Sequence, residues 1–200
     1  MTEPPSKKGA ERKGRILESA LTVIGRDGLA ALSMRSLAAE AGLPLGALSY
    51  YFVNKKQLIG EAFDAHAHRE LQRVVQTIAL IGDAGSAADL AGRLADFVID
   101  GLANDENALV AEYEFLVEAS RRPEIARAST AWQQALHAQL ANVLGRLGSS
   151  EPSTDARLIM ATIAGLEVDN LTRDALPRTQ STAIRETLAR LIDVLSRAWE

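Results

Sequence analysis

Two tyrosines and a pair of lysines lie close together in the stretch Leu43–Leu58, LPLGALSYYFVNKKQL. Phenol hydroxyls and ammonium groups can donate hydrogen bonds to an anionic partner, provided that they reach the surface. A helix buried in a core would hide Tyr50 and Tyr51, whereas an ordinary loop would not carry leucines at helical spacing around them. Other features of the chain must therefore show which surface this stretch faces.

Charge is divided unevenly along the chain. Residues 1–60 hold 9 Lys+Arg and 5 Asp+Glu, a formal charge of +4, whereas residues 61–200 hold 13 and 21, a formal charge of −8. Every lysine precedes residue 57. The basic charge of residues 1–60, beside an acidic remainder, indicates that residues 1–60 bind a polyanion. The alternative is chance variation in surface charge.

Composition excludes several kinds of chemistry. The chain has 200 residues, 47% of them apolar, and no cysteine. Disulfide frameworks, thiolate zinc sites and cysteine nucleophiles are therefore excluded, and a reducing cytoplasm is the expected location. No apolar run approaches the roughly 18 residues of a membrane span. The first residues, MTEPPSKKGAERKGR, lack the apolar segment of a signal peptide, so we interpret them as a flexible arm leading into a helix.

Residue types suited to catalysis or metal binding do not occur at useful spacings. The sequence has no histidine, carboxylate and nucleophile set, no glycine-rich phosphate loop and no His-Glu-x-x-His pattern. His66 and His68 would point to different faces of a helix, whereas metal-binding pairs on a helix stand four residues apart. His137 stands alone. We therefore expect no enzyme, no metal site and no cofactor.

The elements that position these residues are all predicted to be helices, because no segment alternates apolar and polar residues as a strand does. Ser33 and Asn54 are the expected N-caps of the second and fourth helices, with Gln57 placed to reach back to Asn54. Gly42 is expected to end the second helix. The expected bounds are about 11–26, 34–41, 44–51, 55–80, 86–103, 105–121, 123–147, 154–174 and 180–198, with a break at GDAGSA, residues 82–87.

The second and third helices are joined by the tight connection EAGLPL and form a predicted helix-turn-helix. The first three helices can bury a small core of their own. The residues expected in this core are Val23, Leu37, Ala38, Leu43, Leu48 and Phe52. The outward surface of the third helix is too small for a catalytic cleft but fits the major groove of DNA.

The segment from Arg15 to Leu58 resembles the DNA-binding domain of TetR-family transcriptional regulators. The resemblance is carried by RILESALTVIGRDGLAALSMRSLAAEAGLPLGALSYYFVNKKQL, in which SMRSLAAEAG and YYFVNKKQL stand at the family's spacing. The remaining helices fit the family's variable ligand and dimer domain in number and length. The resemblance implies an all-α protein, with residues 1–54 as arm and DNA-binding domain and residues 55–200 as a helical ligand-binding and dimerisation domain.

The resemblance also implies roles for individual residues. Ser33 and the start of its helix would hold a phosphate, and Arg35 would pair with guanine in the major groove. Tyr50 and Tyr51 would contact phosphates through their hydroxyl groups, and Lys55 would add its charge to a helix N-terminus. Less specific phosphate partners would be Lys7, Lys8, Arg12, Lys13 and Lys56. For the tyrosines and the lysine pair, the alternative is an ordinary solvated surface.

At three positions of the third helix some TetR-family relatives carry polar side chains that contact DNA bases. This sequence instead has Leu45, Gly46 and Ala47 there. None of these residues donates a side-chain hydrogen bond. Base reading would then depend on contact with thymine methyl groups, on Arg35 and Ser49, and on the shape of the duplex.

Glu112 shares a predicted helix face with Tyr113 and Leu116, so it is expected to point inward, where a carboxylate needs a partner. In one interpretation it orients a bound effector. In the other it pairs with an arginine such as Arg121 or Arg127, or lies at the surface, and the same alternatives apply to Asp169 and Asn170. The expected effector pocket, which favours a hydrophobic or aromatic ligand, is lined by Phe97, Glu112, Tyr113, Leu116, Trp132, Leu136 and Asn170.

The eighth predicted helix, ARLIMATIAGLEVDNL, is apolar on nearly all sides from Leu158 to Leu166. A helix that is apolar all round is buried all round, so its outer side is expected to meet a second chain. The apolar stripe from Ile184 to Leu195 on the ninth helix would complete the interface. We predict a homodimer through a four-helix bundle, with a packed monomeric core as the alternative.

A dimer with two reading heads would bind a palindromic operator. The resemblance implies a repressor released by a small-molecule effector, with the fourth helix as the lever. The alternative is a protein-interaction adaptor that kept the helix-turn-helix shape without DNA binding. The expected partners are double-stranded DNA, a second copy of the chain and an unidentified small molecule, with no membrane.

Overall fold

A computed structural model describes residues 7–81, 85–171 and 177–199 of the chain. Three predictions fall partly outside these residues: the start of the flexible arm, the break at 82–87 and the end of the eighth helix. The side chain of Lys7, a predicted phosphate partner, also lies outside the description.

Every element found in the described ranges is helical, which confirms the predicted all-α fold. Nine α-helices are labelled in chain order, and a 3-10 turn at Leu29–Ala31 follows the first. Their bounds are α1 Lys7–Asp27, α2 Met34–Glu40, α3 Leu45–Leu48, α4 Lys55–Ala79, α5 Ala87–Asn104, α6 Glu106–Ala119, α7 Pro123–Arg146, α8 Pro152–Asn170 and α9 Arg178–Ser196.

Local signals explain the boundaries of the first helices. Ser33 caps α2 by accepting a hydrogen bond from the backbone N–H of Ser36 at 3.0 Å, while the Ser36 hydroxyl accepts from the Ser33 N–H at 2.8 Å. Gly42 follows α2 with φ +62°, a conformation that favours glycine. The Asn54 side chain accepts from the Gln57 N–H at 2.9 Å and caps α4 as predicted.

The third helix is shorter than predicted, since it ends at Leu48 rather than near Tyr51. The N–H groups of Tyr51 and Phe52 both donate to the Leu48 carbonyl at 2.9 Å. The Leu48 carbonyl therefore accepts two hydrogen bonds. The chain bends away from the helix axis at this point, and Phe52 enters the core. The Gln57 side chain also differs from the prediction, because it accepts from the Val53 N–H at 2.8 Å instead of from Asn54.

We call residues 7–54 the head. Five of its six predicted core residues are buried, namely Val23, Leu37, Ala38, Leu48 and Phe52. Leu43 is only half-buried, because it lies in the connection between α2 and α3 at the surface. The apolar stripe of α1 supplies the largest share of this core through Ile16, Ala20, Val23 and Ile24.

The chain divides into two compact units. The first unit contains residues up to Arg69 together with Asn107–Ser129, and the second contains Glu70–Glu106 and the residues from Thr130 onward. Both α4 and α7 contribute residues to each unit. In the second unit α9 packs against α5 and α8.

The apolar stripe of α9 is partly used inside its own chain. Ile184, Leu188 and Ile192 are buried. The prediction that the stripe beginning at Ile184 faces a second chain is therefore wrong for Ile184 and Leu188, whose side chains fill the core of the second unit. Across the described helices, none is both long and apolar enough to cross a membrane.

Candidate nucleic-acid interface

The predicted DNA-contacting residues all reach the surface of the head, although to different extents. Tyr50 is 87% exposed and Leu45 is 49% exposed. The remaining exposed members of the set are Ser33, Arg35, Gly46 and Ser49, and the half-buried members are Ala47, Tyr51 and Lys55. The structure thus leaves this surface, which we call the reading surface, open to a partner.

Arg35 lies in the first turn of α2 and is exposed. Its guanidinium group forms no hydrogen bond or ion pair with any described residue, so all five of its N–H donors are available. Planar bidentate donors of this kind suit guanine in the major groove or a backbone phosphate.

Ser33 has a structural role of its own. Its side-chain oxygen caps α2, and it lies 3.0 Å from the Ser36 hydroxyl. The Ser36 hydroxyl in turn donates to the Ala31 carbonyl at 2.9 Å. A phosphate contact by Ser33 stays a prediction, and any such contact would have to coexist with this network.

Three consecutive aromatic rings connect the head core to the reading surface. The Phe52 ring is buried, the Tyr51 ring lies 6.4 Å from it, and the Tyr50 ring meets Tyr51 edge-on at 5.1 Å between centroids. Edge-to-face packing stabilises such pairs and restricts their motion. The Tyr50 ring is therefore exposed at the surface while it stays in edge-on contact with Tyr51.

The lysines of the head and of the start of α4 are engaged unequally. Lys55 is half-buried, and its ammonium group donates to the Ala30 carbonyl at 3.3 Å, so it joins the start of α4 to the 3-10 turn. Lys13 pairs with Glu61 at 2.5 Å and stands over the Phe52 ring at 5.6 Å. A role as a less specific phosphate partner stays a prediction for Lys13, and Lys8 and Arg12 are exposed on α1.

Arg26 forms ion pairs at 2.9 Å with Asp27 of its own helix and with Glu40 of α2, and the second of these joins α1 to α2. Hydrogen bonds to Asp27 and Glu40 raise the pKa of Arg26, so that it stays charged wherever the head is folded. Because Arg26 is exposed, this contact adds little to the packing of the first two helices, which depends on the buried core.

Glu112 has a partner that the sequence did not suggest. Its carboxylate oxygen lies 2.8 Å from Nε2 of His66, which belongs to α4 and is only 1% exposed. Arg121, one of the two arginines suggested as its partner, pairs instead with Glu118 at 3.4 Å. His66 and Glu112 stand far apart in sequence, so no local spacing signal could have joined them. Within the described ranges no cluster of histidine and carboxylate residues could hold a metal ion.

The predicted effector residues belong to both units. Glu112, Tyr113 and Leu116 are half-buried residues of the first unit. In the second unit, Trp132 is buried, Leu136 is half-buried, and the Phe97 ring lies 4.5 Å from the guanidinium carbon of Arg73. The Asn170 amide donates to the Leu166 carbonyl of its own helix at 2.7 Å. A common effector site for these residues stays a prediction.

A three-helix head with an open reading surface, attached to further helices, defines a helix-turn-helix protein. Residues 16–62 match the family described as bacterial regulatory proteins, tetR family. Residues 85–194 match the tetracyclin repressor-like C-terminal domain. The chain belongs to the TetR family of transcriptional regulators, which are not enzymes.

Individual relatives agree with this assignment. The nicotine-responsive transcriptional repressor HdnoR of Paenarthrobacter nicotinovorans is 31% identical over 114 residues, which cover 56% of this chain and 57% of that protein. The match thus spans little more than half the length of that relative. The multidrug binding protein EbrR, solved in complex with ethidium, is 30% identical, with a TM-score of 0.64 over 90% of this chain and 98% of that chain.

The fold extends to more distant members. A TetR-family regulator from Mesorhizobium loti superposes with a TM-score of 0.79 at 15% identity, over 98% of this chain and 99% of that one. At that identity the likeness concerns the fold alone.

Proposed function

We propose that this chain is a repressor that binds a palindromic DNA operator as a homodimer and leaves it when a small organic effector binds. The observation that carries the DNA-binding part is the reading surface. It presents the guanidinium of Arg35 without a partner in the described chain and the ring of Tyr50 at 87% exposure, next to a fully formed core.

The homodimer is supported by an exposed apolar face on α8. Leu158 is 47% exposed and Val168 is 52% exposed, and the exposed residues Ala161 and Gly165 lie between them on the same face. A Cβ atom on Gly165 would meet nothing within 4 Å, so this face has room for a close backbone approach. We infer that α8 meets α8 of a second copy, together with the outer side of α9 around Val194.

The effector is inferred to be an aromatic molecule, with an amine or a cationic group as the preferred polar part. One relative is named for its response to nicotine, and another was solved with ethidium. Phe97 and Trp132 of the second unit supply aromatic rings of the kind that bind such molecules. Release follows if the effector binds better to a conformation whose two heads do not fit the operator.

Selection of bound sequences from a random duplex pool tests the DNA-binding part directly. The expected outcome is a two-fold symmetric motif with half-sites about one helical turn apart. Arg35→Ala should then lower affinity for the selected duplex by roughly 1–3 kcal/mol and relax the base preference at one position of each half-site. Arg93→Ala, which removes an exposed arginine of α5, is the matched control.

Two results would contradict the proposal. If the pool yields no enriched sequence at low salt, the head is not a DNA-binding module, and a protein-interaction adaptor becomes the better account. If a motif is enriched but has no two-fold symmetry, the protein binds DNA without the proposed pair of heads.

A further inference from the structure

Within the first unit, α1 of the head and α6 approach each other closely at Gly25. A Cβ atom placed on Gly25 would stand 2.0 Å from the carbonyl oxygen of Asn107 and 2.5 Å from its Cα. These are backbone atoms, so no side-chain rotation could make room. Gly25 has an ordinary helical backbone, and glycine is needed there for space and not for its conformational freedom.

A second contact between the head and α6 lies one turn further along the chain. The backbone N–H of Leu29, at the start of the 3-10 turn, donates to the carboxylate of Glu114 at 3.2 Å. Leu29 itself is buried, and the preceding Gly28 has φ +84°, which turns the chain toward α6. Glu114 therefore accepts a backbone donor that the 3-10 turn leaves unused.

The same helix also contacts α4, so the three elements form a closed set of contacts. Glu112 of α6 meets His66 of α4 at 2.8 Å, and Lys55 of α4 meets the carbonyl of Ala30 in the 3-10 turn at 3.3 Å. All of these residues belong to the first unit. The head is thus held through α6 as well as through the chain connection to α4.

We propose that Gly25 and Glu114 are positioning residues that fix the orientation of the head by docking it on α6. Neither residue belongs to the reading surface, so neither is expected to touch DNA. This inference rests on the proposed function, because the orientation of the two heads in a dimer sets which half-site spacing they can bind.

The test compares two glycines of the same helix. Gly25→Ala forces α1 and α6 apart, whereas Gly14→Ala adds the same methyl group where nothing lies within 4 Å. Binding is measured on a series of duplexes in which the spacing of the selected half-sites changes by single base pairs. The wild-type protein and Gly14→Ala should share one optimum, and Gly25→Ala should lose about tenfold at that spacing and show a shifted or broadened profile.

The salt dependence of binding to an unrelated duplex separates positioning from a loss of DNA contacts. It should be equal in all three proteins, because the phosphate-contacting residues are unchanged. An unchanged spacing profile in a folded Gly25→Ala protein would refute the proposal.

Glu114 provides a second variant in case Gly25→Ala does not fold. Glu114→Ala should produce the same change in the spacing profile, and Glu114→Gln should restore the wild-type profile, because an amide oxygen still accepts from the Leu29 N–H. Hydrogen exchange at the Leu29 amide should be several-fold faster in Glu114→Ala and near the wild-type rate in Glu114→Gln.

The exchange measurement requires no DNA, so the two hypotheses fail separately. If the wild-type protein binds no duplex, the proposed function is contradicted. If Leu29 nevertheless exchanges faster in Glu114→Ala than in the wild-type protein, the docking contact is still supported. Equal exchange rates in the wild-type protein and Glu114→Ala would refute the docking contact, whatever the protein does with DNA.

Discussion

Leu45 is the most prominent apolar side chain at the start of the helix that we place in the major groove. It is 49% exposed, and its neighbours Gly46 and Ala47 carry no hydrogen-bond donor in their side chains. The C5-methyl group of thymine is the feature of the major groove that an apolar side chain can recognise. The protein should therefore recognise its operator in part through contacts with thymine methyl groups.

Replacement of thymine by deoxyuracil at single half-site positions tests this reading, because it removes one methyl group and leaves base pairing intact. At a contacted position the affinity should fall by about 0.8 kcal/mol, the value of one buried methylene-sized group. Competition binding measures the loss, and the same replacement outside the half-sites is the control. Leu45→Ala should abolish the difference, and equal affinity for all deoxyuracil duplexes would exclude methyl reading.

Glu112 should contribute to stability through His66, because the pair lies 2.8 Å apart and the imidazole is buried. Removal of a hydrogen-bond acceptor from a buried polar group costs about 1–3 kcal/mol. Glu112→Ala is expected to lower the free energy of unfolding by that amount in urea denaturation.

Glu118→Ala is the control on the same helix. The Glu118 carboxylate pairs with Arg122 at 2.6 Å and with Arg121, and the hydrogen bond from Arg122 lowers the pKa of Glu118. These partners are at the surface, where ion pairs stabilise little, so the change should be much smaller. Equal effects of the two substitutions would show that the His66 contact adds nothing to an ordinary surface pair.

The ends of the helices could be predicted from the sequence where the capping side chain lies within a few residues of the helix end. Ser33, Gly42 and Asn54 act as the sequence predicted, because a cap depends on a few adjacent residues. The early end of α3 was missed, since it depends on Phe52 turning into a core that distant residues build.

Contacts between distant residues could not be predicted in the same way. Lys13 with Glu61, His66 with Glu112 and Gly25 with Asn107 each join separate elements. Residue type and spacing predicted an exposed surface on the head, and Tyr50 and Leu45 lie there, 87% and 49% exposed. Residue type and spacing did not predict the partners of buried polar groups, because these partners are set by how the helices pack.

Substitutions of Ser33 can distinguish its role as the N-cap of α2 from its predicted role as a phosphate contact. Ser33→Ala should lower the free energy of unfolding by about 1 kcal/mol through loss of the cap. Ser33→Asp keeps a capping oxygen but adds negative charge, so stability should remain near the wild-type value. If the predicted phosphate contact exists, DNA affinity should fall in Ser33→Asp, whereas unchanged affinity would leave Ser33 with the capping role only.

At the scale of the whole molecule, the exposed face of α8 determines whether two heads can act together. Val168→Asp is expected to convert a dimer into a monomer, because burial of an unpaired carboxylate in an apolar interface costs several kcal/mol. The single chain should still fold, since Val168 is 52% exposed within it. Val117→Asp, at a valine of α6 that is 60% exposed, is the matched control and should remain dimeric.

Sedimentation at micromolar concentration measures the oligomeric state, and binding to one-half-site and two-half-site duplexes measures its consequence. A dimer that spans both half-sites gains a second, effectively intramolecular contact, which can strengthen binding by about 10²–10⁴-fold. Val168→Asp should lose this gain and bind both duplexes with the weak affinity of one head. A wild-type protein that sediments as a monomer would remove the symmetric operator from the proposal, because one head has no two-fold axis to match.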